Sequence, residues 1–249
     1  MSTRGPVGRL FRRMLRKAGR DLVPYTRESH PLARRMHLLA TARVDLVLDV
    51  GANAGQYGRS LRDAGYRGRI VSFEPMREAY AKLERETKGD PFWETRNFAL
   101  GDFDGIAEIN VSANSYSSSI LEILPRHLQS APVSRHAGRE SISVHKVDTV
   151  IDTISVGSEA IFLKVDTQGY EKRVLAGASV SLNRIVGAQL ELSLVPLYQG
   201  DALLGEMLKL MEDCGFVLMS LEPEFFDPET AQLLQVDGVF FRELRVRTQ

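Results

Sequence analysis

Val44-Asp45-Leu46-Val47-Leu48-Asp49-Val50-Gly51-Ala52-Asn53-Ala54-Gly55 (residues 44–55) decides how the rest of the chain is read. The apolar run Val44–Val50 reads as a buried parallel strand that stops in a glycine turn, and the turn opens a helix. Glycine lets the backbone bend sharply there and approach a ligand with no Cβ in the way. About twenty residues on, the spacing of a ribose-binding acid, Ser72-Phe73-Glu74-Pro75 ends a second apolar strand in a carboxylate. Turn and carboxylate together describe a pocket for a nucleoside-bearing cofactor.

Working outward, strands and helices alternate. Gln56–Ala64 reads as a helix closed by Gly65, Arg69–Glu74 as a strand, and Met76–Thr87 as a helix with Pro75 in the turn before it. Trp93–Leu100 reads as a third strand, and residues 105–111 as a short antiparallel one. Residues 112–140 are polar and serine-rich, and read as loop with one short helix. A segment so long and irregular fits a lid or a substrate loop. Ser141–Val147 follows as a strand, then Ala160–Val165, ending in Asp166. Tyr170–Leu182 reads as a helix, Ile185–Leu192 as a strand near whose end Glu191 lies, and Ala202–Cys214 as a helix. Phe216–Leu221 and Gln235–Arg242 are the last strands. The pattern predicts one α/β domain over residues 41–249, with a mostly parallel, doubly wound sheet and late antiparallel strands.

Before it, residues 1–40 form a basic helical arm. Residues 1–36 hold ten Arg or Lys and two acids; the remaining residues hold 22 basic and 30 acidic ones, a net charge of −8. Val7, Leu10, Phe11, Met14, Leu15 and Ala18 share one helical face with Arg9, Arg12, Arg13, Arg16, Lys17 and Arg20 on its flanks. Two readings stand: a helix lying on an anionic membrane, or a helix packed on the domain with its arginines in water. Formal net charge is zero, so no nucleic-acid partner is expected. Cys214 is the only cysteine, which excludes an intrachain disulfide and a four-cysteine zinc site. With no secretory h-region and no transmembrane run, a cytoplasmic protein is expected, peripheral at the inner membrane face if the arm binds lipid.

The turn discriminates among cofactors. In the dinucleotide fingerprint the second glycine lets pyrophosphate reach the backbone; here Asn53 occupies it. Asp49 beside the turn disfavours phosphate and can face an ammonium. The pair points to a phosphate-free nucleoside such as S-adenosylmethionine, with Gly51, Ala52, Asn53 and Gly55 forming the turn and Glu74 at the ribose hydroxyls. A nicotinamide-dependent oxidoreductase is the rival enzyme reading, and Asn53 speaks against it. A non-catalytic cofactor-binding or membrane-tethered module is the third, and Asp166 speaks against it.

Six ordered motifs carry a resemblance. Residues 49–58 (DVGANAGQYG), 72–75 (SFEP), 97–102 (NFALGD), the Ser117-Ser118-Ser119 cluster, 163–171 (LKVDTQGYE) and 237–240 (DGVF) together look like FkbM-type S-adenosylmethionine-dependent methyltransferases. The resemblance spans about residues 40–242. It implies a Rossmann-like class I methyltransferase fold. It also implies O-methylation of a sugar or polyketide hydroxyl in secondary metabolites or cell-envelope glycolipids, so the expected partner is a small-molecule or lipid-linked sugar. The family often has an acid where this chain has Gln168, which leaves the acid–base assignment open.

Methyl transfer needs the acceptor hydroxyl aligned and its proton removed. Asp166, at the carboxyl edge of the sheet, is the leading base candidate; its structural alternative is a helix N-cap. Glu191 is expected beside it, either as a second site carboxylate or as the partner of Lys164. Such a pair could also hold a divalent cation, and the sequence does not decide this. Asn97 and Ala99 are expected by the adenine, and Ser119 at the methionyl end or the substrate. The acceptor and the oligomeric state are not legible.

Overall fold

The computed structural model describes residues 6–155, 157 and 159–243. Helices α1 (Pro6–Lys17) and α2 (Pro31–Thr41) precede the sheet. Then come β1 (Leu46–Val50), α3 (Gln56–Asp63), β2 (Arg69–Phe73), α4 (Arg77–Thr87), β3 (Trp93–Arg96), β4 (Ala99–Leu100) and β5 (Gly105–Ser112). The second half holds α5 (Pro125–Ser130), β6 (His136–His145), α6 (Val147–Ile154), β7 (Ile161–Val165) and α7 (Glu171–Ala176). It ends with β8 (Ile185–Ser193), α8 (Leu204–Asp213), β9 (Val217–Phe226) and β10 (Leu233–Phe241).

Seven strands form the main sheet in the order β3-β2-β1-β7-β8-β10-β9. All neighbours from β3 to β8 run parallel, and β10 runs antiparallel to both β8 and β9. This is the Rossmann-like α/β arrangement expected. The order reverses between β1 and β7, and open parallel sheets bind ligands outside the carboxyl ends at such a point. Both faces of the central strands are covered. Leu46, Leu48 and Val50 pack into one core with Leu163, Val165, Leu190 and Val174. Val47 packs into the other with Leu61, Phe162 and Phe241.

The expected third strand is two strands in two sheets. β3 stays beside β2, while β4 joins β6 and β5 in a small second sheet. The β2–β3 ladder makes its last bond at Glu74, whose N–H donates to the Arg96 carbonyl at 3.1 Å. The Asn97 side chain instead donates to the carbonyls of Glu74 and Pro75, at 2.9 and 3.1 Å. The chain then leaves, and Ala99 pairs with Val144.

Other boundaries move as well, the strand expected at 216–221 running on to Phe226. The strand expected at 141–147 runs from His136 to His145, and Val147 opens α6, which sequence reading missed. Its buried Val147, Ile151 and Ile154 fall at helical spacing, the signal that could have found it. The helix expected over 170–182 stops at Ala176. At Gly177 the chain crosses β4's exit so closely that a Cβ would lie 1.8 Å from the Gly101 carbonyl oxygen. Asp148, at the start of α6, accepts the Val180 and Ser181 N–H groups and fixes the separate 3-10 turn that follows.

Candidate active site

The turn after β1 is built by contacts between strands. The N–H groups of Gly51 and Ala52 both donate to the Phe73 carbonyl, at 3.1 and 3.0 Å, folding the turn across the end of β2. Gly51 has φ +73, and a Cβ there would stand 1.9 Å from the Asp166 backbone oxygen. Besides the sharp turn and the ligand approach read from the sequence, the glycine is therefore required by the main chain that follows β7. Asn53, also left-handed at φ +47, is a residue type that tolerates this conformation. Its Oδ1 accepts the Ala54 N–H at 2.8 Å, and its own N–H donates to Glu74 Oε2 at 2.8 Å. Met76 N–H donates to the other Glu74 oxygen at 2.9 Å. Burial pushes the Glu74 carboxyl up to about 7 despite these two hydrogen bonds.

Beneath the turn lies a buried polar row. Register places Asp49 of β1 beside Lys164 of β7, and Lys164 beside Gln189 of β8. The Lys164 ammonium stands 3.2 Å from Asp49 Oδ1 and 3.5 Å from Asp166 Oδ2, and donates to the Gly51 carbonyl at 3.1 Å. Burial acts to discharge this lysine, but the Asp49 and Asp166 charges outweigh it and hold its pKa raised. Ser72 donates to Asp49 Oδ2 at 3.0 Å, and the Trp93 indole donates to Ser72. Asp49 is thus fully buried and committed to Lys164 and Ser72; it does not line the cavity where it was expected to face an ammonium. Lys164 pairs with Asp49 and Asp166, not with Glu191.

Asp166 follows β7, and Glu191 lies on β8, the adjacent strand. Gln168 joins them. Its amide nitrogen donates to Asp166 Oδ1 at 2.9 Å and to Glu191 Oε2 at 2.8 Å. Its amide oxygen accepts the hydroxyl of the buried Tyr198 at 2.6 Å. That phenol fixes which way the amide faces, so both nitrogen hydrogens point at carboxylates. Burial raises the Glu191 carboxyl well above its usual range, and the charges of Asp166, Glu171 and Asp237 act in the same direction. Asp166 does not cap a helix: Tyr170 is the N-cap of α7. Glu171 holds the loop instead, accepting from Thr167 N–H at 2.8 Å and Gly169 N–H at 3.3 Å.

These elements surround a cavity of about 350 Å³. Gly51, Asn53, Glu74, Ala99, Ser119, Asp166 and Glu191 line it, as expected for site residues. Ala52, Gly55 and Asn97 stand behind its wall with Asp49, Gly55 against Leu83 and Trp93. The far wall is the serine-rich loop. Ser117, Ser134 and Asn114 form a hydroxyl–amide cluster, with Ser117 Oγ 2.8 Å from Ser134 Oγ. His127 joins it through Nε2 at 3.2 Å from Ser134, stacks edge-on to Tyr198, and is pushed down to about 4 by burial. Ser119 donates to the Gln168 carbonyl at 2.7 Å, tying loop to carboxylates. Tyr170, within the 163–171 motif, also lines the wall, as do Glu224 and Phe225, which carried no signal in the sequence. Four carboxylates, those of Glu74, Asp166, Glu191 and Glu224, line the cavity, and among the described residues no Lys or Arg does.

This lining suits a cationic, hydroxyl-bearing cofactor. A pyrophosphate would meet carboxylates and no counter-charge. At the switch point of a Rossmann-like sheet, these features define a site for a phosphate-free nucleoside cofactor. A sequence profile of the methyltransferase FkbM domain matches residues 49–218. The chain belongs to the FkbM methyltransferase family, and its cofactor is S-adenosylmethionine. No curated protein sequence matches the chain. Among solved structures it is similar to magnesium protoporphyrin IX methyltransferase from Synechocystis with S-adenosylmethionine bound, at 9% identity and TM-score 0.46 over 85% of this chain and 78% of that one. It is also similar to a putative RNA methyltransferase from Pyrococcus horikoshii, at 11% identity and TM-score 0.44 over 85% and 82% of the chains. Among the described residues, no group of three His, Cys, Asp or Glu is placed to hold a metal ion.

Proposed function

We propose that this methyltransferase transfers its methyl group to a hydroxyl oxygen, that of a sugar on a glycolipid or secondary metabolite. The carrying observation is the cavity lining: four carboxylates, among the described residues no lysine or arginine, and a wall of serine hydroxyls opposite the turn. S-adenosylmethionine supplies an electrophilic methyl group on a sulfonium. In this reading Glu74 would accept the ribose hydroxyls, and Phe73, Met76 and Leu100, which line the same cavity, would offer apolar surface to the adenine. The proton of the acceptor hydroxyl falls to the Asp166–Glu191 pair. Lys164 stands 3.5 Å from Asp166 and anchors its position, and Gln168 holds the two carboxylates on one side of the cavity. Glu191, whose affinity for a proton burial raises, is the group that accepts the proton in this reading. A positive ligand in the cavity favours the ionised form it needs.

The test is mass spectrometry of glycolipid and glycoside pools after incubation with methyl-labelled S-adenosylmethionine. One added methyl is expected on a hydroxyl with the native protein. Asp166→Asn and Glu191→Gln should each lower the yield by about 10²–10⁴. Labelling on carbon or nitrogen, or tight NADH binding without S-adenosylmethionine binding, would overturn the reading.

A further inference from the structure

Helix α1 has no part in the cavity, yet its side chains are sorted. Its described stretch carries Arg12, Arg13, Arg16 and Lys17, Arg20 follows, and the helix holds no acid. Asp21 folds back on it, accepting from Arg12 Nε at 3.1 Å and Arg16 Nε at 2.9 Å. At the helical period Arg12 and Arg16 lie away from Leu10, whereas Lys17 and Arg13 fall within about 60° of it. Among the described residues, Arg13, Lys17 and Arg20, the last just past the helix, have no ion-pair partner and are exposed. Leu10 and Met14 between them are 62% and 63% exposed, and Leu22, Val23 and Tyr25 just downstream are exposed as well.

Single exposed apolar residues are ordinary on a protein surface. Here they share a face with the unneutralised cations, while the neutralised ones turn away. We propose that α1 seats the protein on an anionic lipid surface, with Leu10 and Met14 entering the headgroup layer and Arg13, Lys17 and Arg20 against lipid phosphates. Charge complementarity selects this partner: residues 37–249 carry a net −8, so the body is repelled and the arm faces the bilayer. A nucleic acid would attract the cations but would leave Leu10 and Met14 in water. The arm is fastened where it matters. Arg35 of α2 is buried and bonds Glu222 of β9 at 2.5 Å, and the same strand goes on to Glu224 and Phe225 in the cavity wall. The proposal does not depend on the acceptor or on the reaction.

The experiment is co-sedimentation of the full chain with phosphatidylcholine vesicles, with and without phosphatidylglycerol. Pelleting is expected with the anionic vesicles, and high salt should reverse it. The Arg13→Glu/Lys17→Glu variant should lose at least tenfold in partitioning, since each cation contributes about fivefold. Leu10→Ser/Met14→Ser should lose severalfold with no change of charge. An unchanged melting temperature and S-adenosylmethionine affinity would show that both variants keep their fold. The proposal fails if native protein does not pellet, or if both variants pellet like it. It also fails if the serine variant binds vesicles undiminished and native protein binds a nucleic-acid duplex instead.

Discussion

The turn after β1 and the serine-rich loop face each other across one cavity but are held by different means. The turn is backbone against backbone: Gly51 and Ala52 donate to Phe73, Gly51 abuts Asp166, and Asn53 donates to Glu74. The loop is side chain against side chain, through Ser117, Ser134, Asn114 and His127. Backbone contacts leave little room for substitution, because parallel strands fix both partners. A hydroxyl cluster can exchange one polar group for another and reshape its wall. A cofactor shared by a whole family fits the first kind of wall, and an acceptor that varies fits the second.

Substitution can break this contrast. Gly51→Ala should have the largest effect on folding. It adds a Cβ against a backbone oxygen at a left-handed position, costing on the order of 3 kcal/mol or more, seen as a depressed midpoint in urea. Glu74→Gln should keep the fold and weaken S-adenosylmethionine binding about ten- to a hundredfold by calorimetry, the scale of hydrogen bonds to a charged group. The native affinity should itself depend on pH. A cation prefers ionised Glu74, so binding at pH 6 should be about tenfold weaker than on the plateau above about 8. Stability of the unliganded protein runs the other way. Carboxyls raised to about 7, as Glu74 and Asp237 are, favour the folded state in acid, and that contribution is lost as pH rises through 7. Glu74→Gln should make this decline shallower. The smallest effect is predicted for the loop: Ser134→Ala should cost about 1–3 kcal/mol by leaving buried partners unsatisfied, with cofactor affinity unchanged.

Legibility in the sequence follows the same contrast. The strand, turn and acid of residues 44–74 form a local pattern, and the sheet and the cofactor could be read from it. The sheet edge at Asp166 and Glu191 was legible because strand ends collect ligands. What was not legible depends on distant partners. Asp49 looked like a ligand residue because nothing in the sequence announces that Lys164 will take it. Asn97 looked like a wall residue, and its side chain holds the Glu74 and Pro75 carbonyls where the β2–β3 ladder ends. Gln168 looked like a lost acid. In place it bridges Asp166 and Glu191, where a third carboxylate would repel both. Tyr198, which orients that amide, lies thirty residues away on no repeating pattern.

Gly51 carries one more consequence. The alanine methyl it lacks is what would have separated the cofactor turn from the main chain of Asp166. The cofactor turn and Asp166 are therefore not brought together by mobile loops: they directly follow the paired strands β1 and β7 and are pressed to contact, and their spacing is no more adjustable than that of the sheet. An evolving acceptor specificity must then be met by moving the acceptor, through the loop opposite, and never by moving the donor.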